Sequence, residues 1–498
     1  MTYIITLTRP TIPDLRFVKE ALHIFGIASG LNINYSKSTA IMIRDDEGDK
    51  ELVAGAMPWS MDSFPCKYLG LQLSIWQLTR SEWQPIVDSV LNFMPGWQKG
   101  MITRAGRSVL VHDVVMARPT HHLIIADAPK WAIEQVNKRC RAFFGEGSEV
   151  IHGGKCLVAW QRVCRPKDLG GLGLLDLYRQ GLALRLRWEW LRRTDSSRPW
   201  HGLPMASDPQ VQRVFDSLVH WKLGDGNKVL FWKDRWMDGG TAKEIAPDIW
   251  SKVRTQTVNK RTVYDGLMNH RCAADISGDL TTDDLVQLIK LWEIAIATHL
   301  DPTQRDEAIW PWNSKQVYTS ASAYQMLFKG AISVAYARWV WKCWAPLTCK
   351  IFLWLAIQHR IWTSDRRLRH GLQDDPSACY LCDQEEDNVE HLLIQCVYSR
   401  QVWHMILSSV RIAPTLAPVV NDYLESWWGS TRKLIRKETR RVFDSLVILV
   451  CWHLWKQRNA RVFHPATPSI TASELVSRIL DELRMWATAG GWGVDIIV

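Results

Sequence analysis

The sequence predicts an α+β chain in which a small strand-bearing segment precedes a mostly helical remainder. Apolar residues recur at helical spacing through most of its 498 residues. Short apolar runs edged by turn residues occur near 33–43, 64–71 and 219–232. Hydrophobic residues make up 47%, so the chain can bury sizeable cores and wholesale disorder is excluded. The patterning divides into five stretches. Residues 1–78 hold strands, 79–200 are helical, and 201–315 form a connector with a short hairpin; 316–405 carry a metal motif, and 406–498 are helical again.

Taken in order, residues 13–30 read as an amphipathic helix, with Leu15, Val18, Ala21, Leu22 and Phe25 at helical spacing and Gly30 as its stop. A turn at Ser36-Lys37-Ser38 leads into the strand Ala40-Ile41-Met42-Ile43. Phe64 to Leu71 contains another strand, with Pro65 at its start, where a missing backbone donor does least harm. Trp83, Ile86, Val87 and Val90 form one helical stripe, Val109, Leu110, Val114 and Val115 a second, and Leu182 to Leu191 a third. Asp168-Leu169-Gly170-Gly171 with Gly173 is a glycine-marked loop lacking any P-loop or dinucleotide pattern. Gly224-Asp225-Gly226-Asn227 reads as a hairpin turn between two short strands, the second being Val229 to Trp232. Pro346 can open a helix, and Thr363 and Gly371 bound a short one.

Composition narrows the setting. A net charge of +10, from 61 basic and 51 acidic residues, is a mild bias toward polyanions. The 28 tryptophans serve core packing in the plainer reading and stacking on unpaired bases in the functional one. Eleven cysteines follow no disulfide framework, and MTYIITLTRP has no signal-peptide pattern. The longest apolar run, Leu446 to Trp455, falls short of the roughly 18 residues a membrane span needs. A soluble, intracellular chain is expected, with cysteines free or metal-bound.

One motif carries specific chemistry: Cys379-Tyr380-Leu381-Cys382, eight residues, His391, four residues, Cys396. Cys-x2-Cys makes a tight knuckle whose thiolates can face one ion. His391 and Cys396 are expected on a helix capped by Asp387 with Glu390, a little over one turn apart. Three sulfurs and an imidazole suit tetrahedral Zn²⁺. A closed four-ligand set leaves no place for an activated water, so the site should be structural and contribute to folding. Cys343 and Cys349 read as core, and the adjacent His121 and His122 as unsuited to share a metal.

Two basic patches are candidates for phosphate contact. Residues 97–145 carry eight basic against three acidic residues, a net +5. Lys99, Arg104, Arg107, Lys138, Arg139 and Arg141 are the candidates there. Arg360, Arg366, Arg367 and Arg369 cluster before the zinc motif, opposed only by Asp365. The plainer reading of each is a solvated helix face.

In several places, and in order, the residues resemble the reverse transcriptases of plant LINE-type (non-LTR) retrotransposons. Ala28 to Asn34 with Lys37-Ser38 is similar to the segment after the palm's catalytic hairpin, and Phe64 to Leu71 to the next palm strand. Trp97-Gln98-Lys99 with Arg104 to Arg107 is similar to the thumb region. Val158-Ala159-Trp160, Cys164 to Lys167, Gly170 to Gly173, Gly226-Asn227-Lys228 and Asp234-Arg235-Trp236 are also family-like. Ser320-Ala321, Tyr324, Leu327-Phe328 and Trp339-Val340-Trp341 lead into the zinc motif, as in the family's zinc-binding domain. Trp452, Trp455-Lys456 and Arg458-Asn459 to Val462-Phe463 resemble the family's region C-terminal to that domain.

The resemblance implies a palm remnant over 1–78, a thumb-like region over 79–200, the zinc-binding domain over 316–405, and RNA or DNA as partner. It also implies what is missing. The family's aromatic-Ala-Asp-Asp hairpin, whose carboxylates hold the two Mg²⁺ ions of polymerisation, falls where Met1-Thr2-Tyr3 stand. Asp45-Asp46 follows a strand but lies past that position in an acidic loop, so no catalytic residue is assigned. Residues 465–498 are too few for a ribonuclease H domain. The expectation is a non-catalytic fragment that keeps a zinc module and nucleic-acid binding; the alternatives are a zinc-stabilised protein-interaction scaffold and a mis-started gene model of a full RNA-directed DNA polymerase.

Overall fold

The first helix forms much as its residues dictate. The Thr11 side chain accepts the Asp14 N–H at 3.4 Å, Pro13 sits in the opening turn, and Gly30 ends Ile12–Ser29 at a φ of 69°. In this computed structural model the described residues are 6, 8–31, 33–43, 46–94, 101–148, 156–201, 208–238, 240–372, 378–464, 466 and 469–490. Of the described residues 57% are helical and a few form short strands, an α+β chain. It divides into two compact units, residues 1–92 and 93–498.

The first unit holds the strands expected near its start. Thr39–Ile41 pairs in parallel with Ser60–Asp62, Thr39 opposite Ser60. Cys66–Tyr68 and Leu71–Leu73 form an antiparallel hairpin, turned by Leu69 and Gly70 at φ 49° and 83°. Positive φ at both turn positions matches the twist of the flanking strands. Asp46 belongs to a helix terminus: its carboxylate accepts the N–H groups of Gly48 at 3.0 Å and Asp49 at 3.4 Å, opening Glu47–Ala56. Asp45 lies outside the described residues. Helix Arg80–Leu91 opens with a Thr79–Glu82 capping box and buries Trp83, Ile86, Val87 and Val90, the stripe read from spacing.

In the second unit one core runs from the helix Leu177–Thr194 to the helix Ser320–Met326, and includes Trp190, Phe231, Trp232 and Trp310. Here the expected hairpin at Gly224 to Asn227 is not found. His220–Lys222 pairs antiparallel with Glu307–Ile309, and Leu230 makes a single bridge with Thr262. The Gly-Asp-Gly loop instead wraps the Asp306 carboxylate. That group accepts the N–H groups of Gly224 at 2.8 Å, Gly226 at 2.9 Å and Lys228 at 2.9 Å. A buried acceptor about eighty residues away outweighs the local turn chemistry, because unmet backbone donors inside a core cost more than a different turn.

The other part of this unit is built on Leu347–Ile357 and the long Arg440–Phe463 helix. Residues 446–451 of the latter are fully buried. Among the described residues no helix is long and apolar enough to cross a membrane. Cys343 and Cys349 are buried, as expected. Gly170 and Gly171 serve packing: the Trp354 indole donates to the Gly170 carbonyl at 2.8 Å, and a Cβ on Gly171 would lie 2.0 Å from the Arg165 carbonyl oxygen.

Candidate metal centre and basic groove

The metal motif folds in two pieces. Residues 378–386 close into a loop through an Ala378–Glu386 bridge. The Cys379 N–H donates to the Glu385 carbonyl at 2.6 Å, while the Cys382 and Asp383 N–H groups turn back to the Cys379 carbonyl at 3.2 and 2.7 Å. Asp383 takes a left-handed φ of 59°, a conformation Asp tolerates.

The second piece is a widened turn rather than the plain helix expected. The Cys396 N–H donates to the His391 carbonyl five residues back, at 2.7 Å, making His391–Gln395 a π-type turn. In an α-helix a five-residue step overshoots one turn by about 140°. The wider turn brings Cys396 back toward His391. The expected Asp387–Glu390 cap is also replaced. Asn388 Oδ1 accepts the His391 N–H at 2.9 Å, and the Glu390 carboxylate accepts the Leu424 N–H at 2.7 Å. Asp387 is buried against other elements, so its carboxylate answers long-range donors and not its own helix.

The four donor atoms lie within 4.8 Å of one another, with Cys379, His391 and Cys396 buried. The sulfurs of Cys379 and Cys396 are 3.8 Å apart, and Cys382 Sγ is 3.3 Å from His391 Nε2. Tetrahedral zinc sets such separations at about 3.8 Å between sulfurs and about 3.6 Å from sulfur to nitrogen. The residues therefore fit the ion. Donation to the Cys396 sulfur, with burial, pushes the Cys379 thiol up to about 12, and the same contact lowers Cys396. The pair is arranged around one shared charge that a dication would take over.

Support for the knuckle comes from the long Arg440–Phe463 helix. Arg461 donates to the Tyr380 and Leu381 carbonyls at 3.1 and 3.0 Å. Arg458 pairs with Asp387 in full burial, and Asp387 also accepts the Ser364 N–H at 2.9 Å. The Arg458 guanidinium lies over the Tyr380 and Trp455 rings.

The two basic patches come together in part. Arg104 and Arg360 line one cavity of about 250 Å³ with Phe352, Trp362, Trp452 and Trp455. Arg104 and Arg141 line a smaller one of about 20 Å³ next to it. Among the described residues, Arg104, Arg107, Arg141, Arg360, Arg366 and Arg367 have no carboxylate partner. Burial first, then repulsion from Arg107, holds the Arg104 guanidinium below its ordinary value. Arg366 is buried over the Trp362 ring, 4.5 Å from its centre, with Nε and Nη1 unbonded. Arg369 is paired with Asp365. Lys138 is exposed and Arg139 half-buried on the helix Lys130–Glu146. Lys99 lies outside the described residues.

Sequence reasoning missed Phe352, Trp362, Trp452 and Trp455 as groove residues, and Arg458, Arg461 and Asp387 as supports. The run Trp452 to Arg458 stands out by resemblance, but nothing local says what its side chains face.

Comparison with known proteins agrees with this site. Residues 318–403 match the family described as zinc-binding in reverse transcriptase, and all four donors fall inside the match. A putative ribonuclease H protein of Arabidopsis thaliana is 22% identical over 430 residues, 78% of this chain and 65% of that protein. The chain thus spans just under two thirds of that relative's length. Together these likenesses support a retrotransposon-related protein with a reverse-transcriptase-type zinc module.

Proposed function

We propose that this chain is the C-terminal part of a LINE-type reverse transcriptase of plant type, one that binds RNA or DNA around a structural zinc ion without itself polymerising. The observation that carries the reading is the meeting of two arginine patches, more than 250 residues apart, on one aromatic-lined groove with no acidic residue among the described residues of its lining. Uncompensated guanidinium groups at a surface suit phosphate oxygens. Zinc, when bound, supplies cross-linking of the 379–382 knuckle to the 391–396 turn. Cys379, Cys382, His391 and Cys396 fill its coordination, so the site holds the fold and activates no water. The Arg440–Phe463 helix joins the two features, carrying Trp452 and Trp455 to the groove and Arg458 and Arg461 to the knuckle.

The test is to measure zinc content of the full chain and its binding to labelled RNA and single-stranded DNA across a salt series. One zinc per chain and salt-dependent binding are expected, with no primer extension in Mg²⁺. Each phosphate contact on a single strand contributes about −0.7 to the slope of log K against log salt. Replacing Arg104 and Arg360 by Gln should make that slope shallower by about 1.4. Zinc without binding, even at low salt, would instead favour a protein-interaction scaffold.

A further inference from the structure

We infer that the groove between the start of the Arg104–Val109 helix, the Leu347–Ile357 helix and the Arg440–Phe463 helix is a pocket for one unpaired nucleobase, with the adjoining phosphate at Arg104 and Arg360. This rests on the proposed nucleic-acid function and goes further, because it names a subsite and excludes a duplex as its occupant.

Three observations support it. The cavity, about 250 Å³, lies below the range of roughly 300–1,000 Å³ that holds drug-sized ligands, a volume suited to one flat ring. Its lining combines planar aromatic surface with cations and, among the described residues, has no carboxylate. Trp362, Trp452 and Trp455 are half-buried, unlike the core tryptophans Trp354, Trp403 and Trp428, which are almost fully enclosed. The aromatic walls also pack on one another and on neighbouring side chains. Phe352 lies 5.2 Å from Trp452 and 5.8 Å from Trp455, nearly parallel to the latter, while Arg366 backs Trp362. Preorganised rings lose little freedom on stacking, and a base offers a π-face whatever its identity. A paired base keeps its faces inside the duplex stack and cannot enter. Phosphates flanking an inserted base would lie beside Arg104 and Arg360, which line the pocket and have no carboxylate partner among the described residues.

The experiment compares three probes on the full chain at one low salt concentration: a single strand of uridines, the same strand with abasic sites, and a duplex. Each is tried as RNA and as DNA. The intact single strand should bind at least five-fold tighter than the abasic one, about what one stacked base is worth. Trp362→Leu and Trp452→Leu should remove that preference while leaving abasic binding and zinc content as they were; Arg104→Gln with Arg360→Gln should weaken intact and abasic strands alike. Should a Trp variant fail to fold, photocrosslinking of a 5-iodouridine strand to the unaltered chain decides. Crosslinks in peptides carrying Trp362, Trp452 or Trp455 uphold the pocket, and crosslinks confined elsewhere overturn it. Equal binding of intact and abasic strands also overturns the pocket but leaves the nucleic-acid function standing. No binding of any probe defeats that function itself. Displacement by polyglutamate as readily as by the strand reassigns the groove to acidic protein segments.

Discussion

At the residue scale the donor set depends on side chains that sequence spacing brings near each other and on backbone geometry that spacing does not reveal. Cys382 is the least buried of the four, and its sulfur faces His391 Nε2. Cys382→Ser replaces a soft thiolate by a hydroxyl that binds zinc weakly, and His391→Ala removes the only nitrogen donor of the set. Either change should lower zinc content from one per chain toward none. It should also lower the melting temperature, because structural zinc contributes directly to folding. Cys349→Ser is the contrast. It places a hydroxyl in a packed interior and should cost stability while leaving zinc content unchanged. Equal zinc content in all three proteins, by atomic absorption after dialysis, would remove the assignment of the ligands.

At the element scale the Arg440–Phe463 helix does more than its apolar run suggests. Arg458 and Asp387 form a pair with side chains 1% and 0% exposed. Removing one partner of such a pair leaves a charge uncompensated in the interior and typically costs about 3–5 kcal/mol. Arg458→Met should destabilise by that order and weaken zinc retention, since Arg461 and Arg458 together hold the helix to the knuckle. Adding Asp387→Asn should recover part of the loss, because an amide needs no counter-charge and its oxygen still accepts the Ser364 N–H. A double-mutant cycle by denaturant unfolding gives the coupling. Strictly additive losses would show that the pair does not act as one. This helix also marks where sequence reading stopped. Its existence follows from its apolar run, as that of Ile12–Ser29 and Arg80–Leu91 follows from periodicity and caps. Its contacts follow from tertiary packing. The same holds for Asp306, which redirects the Gly224–Gly226 loop, and for Asn388, which displaces Asp387 as the cap of the His391 turn.

At the scale of the whole molecule, the zinc ligands were legible because four residues within 18 positions carry the whole constellation. The groove was not, because its walls come from four parts of the chain and only folding makes them neighbours. Buried acids make a further whole-molecule property testable. Burial pushes the carboxyls of Asp234 and Asp444 up to about 6, even though Asp234 accepts the Leu230 N–H at 2.8 Å and Asp444 pairs with Arg432 at 2.9 Å. An unfolded Asp titrates near 3.9. Between about pH 4 and pH 6 the folded chain therefore holds protons the unfolded chain has released, and stability falls as pH rises through that window. Asp284 has the opposite sign. Thr281 N–H and Lys252 hold its carboxyl below the ordinary value, so its contribution is lost as pH falls through that lowered value. Asp234→Asn keeps an acceptor for Leu230 and cannot ionise. Melting temperatures of this variant and the parent, taken from pH 4 to 8, should diverge in the variant's favour up to about pH 6–7 and then run parallel. Zinc-linked protonation is common to both proteins and drops out of the difference. A constant difference across the range would mean that Asp234 is no harder to ionise in the fold than in the unfolded chain.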